Sequence, residues 1–230
     1  MADVADVVLD STDRLHYREL VSGLAHSARL AGRRAVASGR WLADVVIDLA
    51  PRVPIRDVQT LSRHHDGLTG AALARSMVRS SGRVSATIGA AAGGLIAMQE
   101  VSVAGLVAIP FELAAETVLV VLVELKLVAE LHQVAGRPLG DTQAERVTAV
   151  VRSWLSGRQV GATKLVTPGR IDLLGRATRV RLAEVLQRRF RRNLTTLIPF
   201  MAGSAVAGWL NRQATIDVGR RLTADLRLGR

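Results

Sequence analysis

Residues 84–123 read VSATIGAAAGGLIAMQEVSVAGLVAIPFELAAETVLVVLV, and their only charges are Glu100, Glu112 and Glu116. Arginine-rich sequence flanks this stretch on both sides. Residues 1–83 hold twelve Arg against nine acids, residues 84–131 hold Lys126 against five Glu, and residues 132–230 hold eighteen Arg or Lys against six acids. The regional charges are therefore +3, −4 and +12 within a net +11. Positive charge placed around an apolar centre, and heaviest after it, is what attraction to anionic lipid headgroups or nucleic acid phosphates requires.

A chain of 230 residues is long enough to bury one sizeable core. The absence of cysteine excludes a disulfide framework and a thiolate zinc site, as fits a reducing cytoplasm. Residues 1–10 carry three Asp and no basic residue, so they lack the positive start of a secretory signal and export is not expected.

Helix signals dominate. Ser11 or Thr12 can cap a helix that runs toward Leu49 and stops at Pro51, with Gly23, Gly32 and Gly39 as candidate points of division. Residues 51–66 read as a loop with at most one short helical turn, and a second helix covers 70–80. Apolar helical pieces follow at 84–98 and 101–109. Pro110 suits the first turn of another helix, which reaches about Ala135 and is capped by Gly136. Thr142 and Glu145 form a capping box for a helix ending near Gly157, and further helices are predicted at 176–197, 200–212 and 215–227. With no strand alternation and no fixed repeat, the fold class is all-α: a single multi-helix domain with close-packed Gly/Ala-rich central helices. Within it we distinguish an N-terminal helical region at 1–83 and a helical core at 84–230.

The centre is a poor membrane span. Its sixteen uncharged residues, 84–99, fall short of the ~20 that cross a hydrocarbon core, and they lean on Ala and Gly rather than Leu, Ile and Phe. A buried or interfacial hairpin fits better, with a true span as the alternative. Gly89 and Gly93 are spaced as GxxxG, and together with Gly203 and Gly208 they are expected to admit a neighbouring helix backbone at close range.

After Pro110 the chain carries four carboxylates. At ~100° per residue Glu112, Glu116 and Glu130 share one stripe, with Glu124 further round. Such a stripe could hold a cation, but Glu130 has Gln133 rather than His three places on, so the di-metal bundle pattern is missing. A solvated face, or a set of partners for surplus arginine, is the expected reading. His64 and His65 are adjacent on a loop, and no metal-ligand spacing, nucleophile elbow, phosphate loop or dinucleotide fingerprint appears. No catalytic residue, cofactor or metal is expected.

In residues 176–192, Leu182, Leu186, Phe190 and Leu197 share one side of a helix. Arg181, Arg188 and Arg192 gather opposite, flanked by Arg189 and Arg191. The chain then turns apolar from Leu194 to Leu210. A basic amphipathic helix leading into an apolar one suits a membrane surface, so these five arginines are the candidate anion contacts; a solvated arginine face is the alternative.

LVAELHQVAG at 127–136, Glu145-Arg146, and IPFMAGSAVAGWLN at 198–211 with Thr215 and Gly219 resemble the EcsC protein family over residues 84–228. The resemblance implies a helical, often membrane-associated bacterial protein, from a family named for an ABC transporter operon and without a settled activity. Ala108 stands near the family's acidic position before the first proline, and Ala135 replaces its aromatic residue before the helix-ending glycine. The expected protein is non-enzymatic and cytoplasmic, held at the inner face of the cell membrane by anionic lipid or a membrane protein partner, with self-association possible in principle. A soluble scaffold or nucleic-acid-binding protein is the alternative; three Phe, three Trp and one Tyr give it few stacking platforms.

Overall fold

The computed structural model describes residues 14–98, 103–158, 175–197 and 204–228. Ser11, Thr12, Glu100 and Gly203 lie outside them. The described residues form nine α-helices and no strand: α1 (Arg14–Ala31), α2 (Arg33–Ala37), α3 (Arg40–Leu49), α4 (Val58–His64), α5 (Gly70–Met98), α6 (Val103–Val134), α7 (Gln143–Gly157), α8 (Arg176–Leu197) and α9 (Ser204–Asp225).

Helix α6 is the axis. Every residue from 111 to 131 is buried, charged ones included, because helices α1, α3, α5, α7, α8 and α9 all pack against it. A helix that is apolar all round can be satisfied only this way. The first half of the opening stretch forms the end of α5, and the second half forms most of α6. Among the described residues no helix is long and apolar enough to cross a membrane.

The N-terminal helices join the same core, which runs unbroken from Ala25 to Leu226. Position 83, where we divided the sequence into two regions, lies inside α5. Gly32 (φ 86°) and Gly39 (φ 73°) break the first predicted helix into three, whereas Gly23 stays helical. Gly39 also needs to lack a side chain, since a Cβ there would stand 2.3 Å from the Ala183 carbonyl oxygen of α8. Asp57, whose carboxylate accepts from the Thr60 N–H at 2.9 Å, caps α4, a seven-residue helix where a loop with one short helical turn was expected.

Three other boundaries differ from the reading of the sequence. Helix α5 runs through Gly82 without a break, α9 is one helix rather than two, and α6 begins at Val103 with Pro110 inside it. At Gly82 the local helix-weakening signal is overridden by burial of the face that carries it. The chemically explicit caps match the sequence. Thr142 and Glu145 form both halves of the capping box, and Gly136 ends α6 at φ 64° with the Arg137 N–H donating to the His132 carbonyl at 3.0 Å.

Helices α5 and α9 run antiparallel and nearly touch. Side chains are missing where their backbones meet: a Cβ on Gly89 would lie 2.7 Å from the Ala207 carbonyl oxygen, and one on Gly208 would lie 2.7 Å from that of Ala86. Gly219 meets Val78 and Leu127 in the same way, and Gly82 meets Ile216. Gly93 is buried. Replacing Gly208 with valine must therefore push two backbones apart, and a loss of about 1–3 kcal/mol in urea unfolding is expected. Gly94→Ala is the control: a Cβ there meets nothing within 4 Å, so the helix should lose nothing and gain up to ~1 kcal/mol.

Candidate functional site

The polar centre of the bundle is built on the carboxylates of α6. Glu124 is fully buried, and both of its oxygens are engaged. Oε2 accepts from the Trp154 indole N–H at 2.8 Å and from the Arg158 guanidinium; Oε1 accepts from Arg189 Nη1 at 3.0 Å and lies 3.2 Å from the Thr215 hydroxyl. Thr215 Oγ1 in turn stands 2.8 Å from Ser85 Oγ on α5. Arg158 also lies over the Trp154 ring, 5.2 Å from its centre. One carboxylate thus ties four helices together, and Thr215 extends the link to α5.

From Arg189 the network continues outward. Its Nη2 donates to Asn211 Oδ1 at 3.3 Å, and the Asn211 amide donates to Glu116 Oε1. Burial pushes Glu116 up, and although the Asn211 hydrogen bond and the Arg189 charge pull it back, it settles at about 7 against an ordinary value of 4.5. Burial acts on Glu124 in the same direction, but there Arg158 and Arg189 win and hold it at about 2. Two carboxylates on one helix are thereby pushed to opposite ends of the range. Glu124 is a permanent anion, and Glu116 is the group of this network that exchanges a proton near neutrality.

A second, smaller brace lies at the far end of α6. Lys126 is 2.7 Å from Glu130 and donates to the Pro54 carbonyl, while Glu130 accepts from the Arg56 backbone N–H at 3.4 Å. His65 Nδ1 lies 2.9 Å from Ser76 Oγ, and His132 Nε2 lies 2.9 Å from Ser153 Oγ. Among the described residues no group of His, Cys, Asp and Glu could hold a metal ion.

These positions correct two expectations. The carboxylate stripe is not a solvated face: Glu112, Glu116, Glu124 and Glu130 are all buried, and Glu124, placed outside the stripe, pairs with two arginines, as the alternative reading expected of the stripe. Arg189 is not available to a surface anion, because its side chain is 3 % exposed and committed to Glu124. The other four candidate contacts, Arg181, Arg188, Arg191 and Arg192, are exposed, with Arg181 3.3 Å from Glu184. Leu182, Leu186 and Phe190 face the core. At ~100° per residue Arg189 lies within ~20° of Leu182, so the signal for its burial was present in the apolar stripe itself.

The exposed apolar residues were not anticipated. Trp209 is 57 % exposed and Val206 41 % exposed, one turn apart near the start of α9. Gly89 of α5 faces Ala207, and α5 then continues to Met98, so the end of α5 and the start of α9 share one end of the bundle. The end of α8 joins them, since Arg189 bonds to Asn211. Compared with protein-family models, curated proteins and solved structures, the chain gives no match.

Proposed function

We propose that this is a non-enzymatic membrane-docking protein that seats the α5–α6 and α8–α9 end of its bundle on an anionic bilayer, alone or beside a membrane protein partner, at the inner face of the cell membrane. The observation that carries this reading is the exposed pair Trp209 and Val206 near the start of α9, together with the exposed Arg188, Arg191 and Arg192 of α8. Tryptophan favours the headgroup layer, where its ring is half buried and its N–H stays wet. Arginine adds ~1 kcal/mol per residue near an anionic surface. Either contribution alone gives weak, reversible binding; together they supply the two signals that stable peripheral attachment needs. The sequence supports the same end, because residues 194–210 contain no charge at all. The resemblance of residues 84–228 to the EcsC family points in the same direction.

Cosedimentation with vesicles tests the proposal. The protein should pellet with phosphatidylglycerol vesicles at low salt and remain in solution with phosphatidylcholine alone. Replacing Arg188 and Arg192 with Gln removes ~2 kcal/mol of attraction and should weaken partitioning about thirtyfold. Trp209→Ala should weaken it further without changing the salt dependence. A protein that ignores anionic vesicles at low salt does not dock this way.

A further inference from the structure

We infer that the groove between α5 and α9 is a binding site for a ligand carrying two or more phosphate groups. The groove has a volume of about 340 Å³ and is lined by Arg75, Val78, Arg79, Arg212, Gln213, Ile216, Arg220 and Thr223. Four of its eight lining residues are arginines, and no carboxylate lines it. Among the described residues none of the four forms an ion pair or a side-chain hydrogen bond. The contrast with the interior decides the reading. This chain pairs Arg158 and Arg189 with Glu124, yet among the described residues it sets no carboxylate against the four guanidinium groups of the groove. Helix α5 contributes Arg75, Arg79 and, one turn on, the exposed Arg83, and has no acidic residue in its 29. Asp217, the nearest acid in sequence to Arg220 on α9, pairs with none of them among the described residues.

The backbone explains why the arginines converge. Gly82 lets Ile216 and the stem of Arg212 lie directly on α5, and Gly219 does the same for Val78. Helices packed through glycine approach more closely than side-chain contacts normally allow. Arginines on the two rims therefore reach across the same narrow space. Arg75 and Arg79 are one turn apart, ~6 Å along the axis, and Arg212 and Arg220 span ~12 Å on the facing helix. That array presents guanidinium forks to two phosphate groups rather than one, with the Gln213 amide and the Thr223 hydroxyl as further donors. Val78 and Ile216 form an apolar floor. The ligand could be a free diphosphate ester or a bisphosphorylated lipid headgroup, which offer the same chemistry. The groove uses neither Trp209 nor the α8 arginines, so it stands or falls separately from membrane docking.

Calorimetric titration of the full chain with sodium diphosphate at fixed ionic strength tests the site. Saturable binding, tighter than that of orthophosphate or sulfate, is expected. Substituting Arg79→Gln with Arg212→Gln should weaken it by about a hundredfold, since each lost charge-assisted contact is worth about tenfold. Arg79 is exposed and Arg212 partly so, and removing two of four like charges relieves repulsion, so the variant should melt no lower than the wild type without ligand, and Trp209→Ala should keep wild-type diphosphate affinity. Phosphatidylcholine vesicles containing a bisphosphorylated inositol lipid separate the sources. If the double variant loses these vesicles but keeps phosphatidylglycerol ones, the ligand is a headgroup; if it binds both like wild type while losing diphosphate, the ligand is soluble. Diphosphate binding no tighter than sulfate, or undiminished in the double variant, overturns the site.

Discussion

Replacing Glu124 with leucine is expected to lower the unfolding free energy by about 3–5 kcal/mol, the cost of leaving buried charge without its partner. Among the described residues the carboxylate is the only acid that the two guanidinium groups contact, and Arg189 is 3 % exposed, so water cannot take its place. Trp154 loses its acceptor as well, and Thr215 loses one of two neighbours. Because Ser85, Glu124, Trp154, Arg189 and Thr215 come from five different helices, the loss should appear as one cooperative shift in the urea midpoint rather than fraying of a single element. Glu124→Gln should also destabilise, since an amide keeps the shape but brings an NH₂ group toward two cations. The informative counterpart is the triple replacement Glu124→Leu, Arg158→Met, Arg189→Met. Apolar groups of similar volume leave no charge to desolvate, so most of the lost stability should return. If the single variant unfolds at the wild-type urea concentration, the carboxylate is not what joins these helices.

Glu124 also shows what the sequence made legible. It interrupts the apolar run Val118 to Val123 and is followed by Leu125, so the sequence set it apart from the stripe of Glu112, Glu116 and Glu130 and within the apolar part of its helix. The all-α class, the capping box at Thr142 and the end at Gly136 could be read because each depends on residues within one turn of another. Arg189 was misassigned for a different reason. Its own helix places it beside Leu182 and Leu186, but the acid that justifies its burial lies 65 positions away, and no local period reveals that pairing. The glycines carried half of their meaning. GxxxG spacing marked Gly89 and Gly93 as places where a backbone could approach, while the partner positions, Ala207 and Asn211 for Gly89, follow only from the antiparallel course of α9. The same holds for the groove: Arg75 and Arg79 are visibly one turn apart in sequence, yet Arg212 and Arg220 reach them only through tertiary packing.

The buried carboxylates further predict an unusual pH dependence. Glu116 has a folded value near 7, above its ordinary 4.5, so the folded protein retains a proton that the unfolded chain has released. Its contribution is fully present below pH 4.5 and is lost as pH rises through 7, amounting to about 3 kcal/mol. Glu124 has the opposite sign. With a folded value near 2, its contribution is present above pH 4.5 and is lost as pH falls toward 2, again by about 3 kcal/mol. Together the two groups favour maximal stability near pH 4.5–5. Two partly buried imidazoles oppose the alkaline limb: partial burial holds His65 and His132 below their usual value, so their contribution is present above 6.5 and declines as pH falls. The variant Glu116→Gln separates these effects, because it copies the protonated acid and leaves both histidines in place. Its oxygen can still accept from the Asn211 amide, and its charge next to Arg189 no longer depends on pH. At pH 8 the variant should be more stable than the wild type by up to about 3 kcal/mol, and at pH 4.5 the two should nearly coincide. Urea midpoints measured at steps across that range give the difference curve directly, with the histidines cancelling. A difference that stays constant from pH 4.5 to 8 would mean that Glu116 does not gain a proton on folding, and the network from Glu124 to Glu116 would then hold two carboxylates against two guanidinium groups throughout.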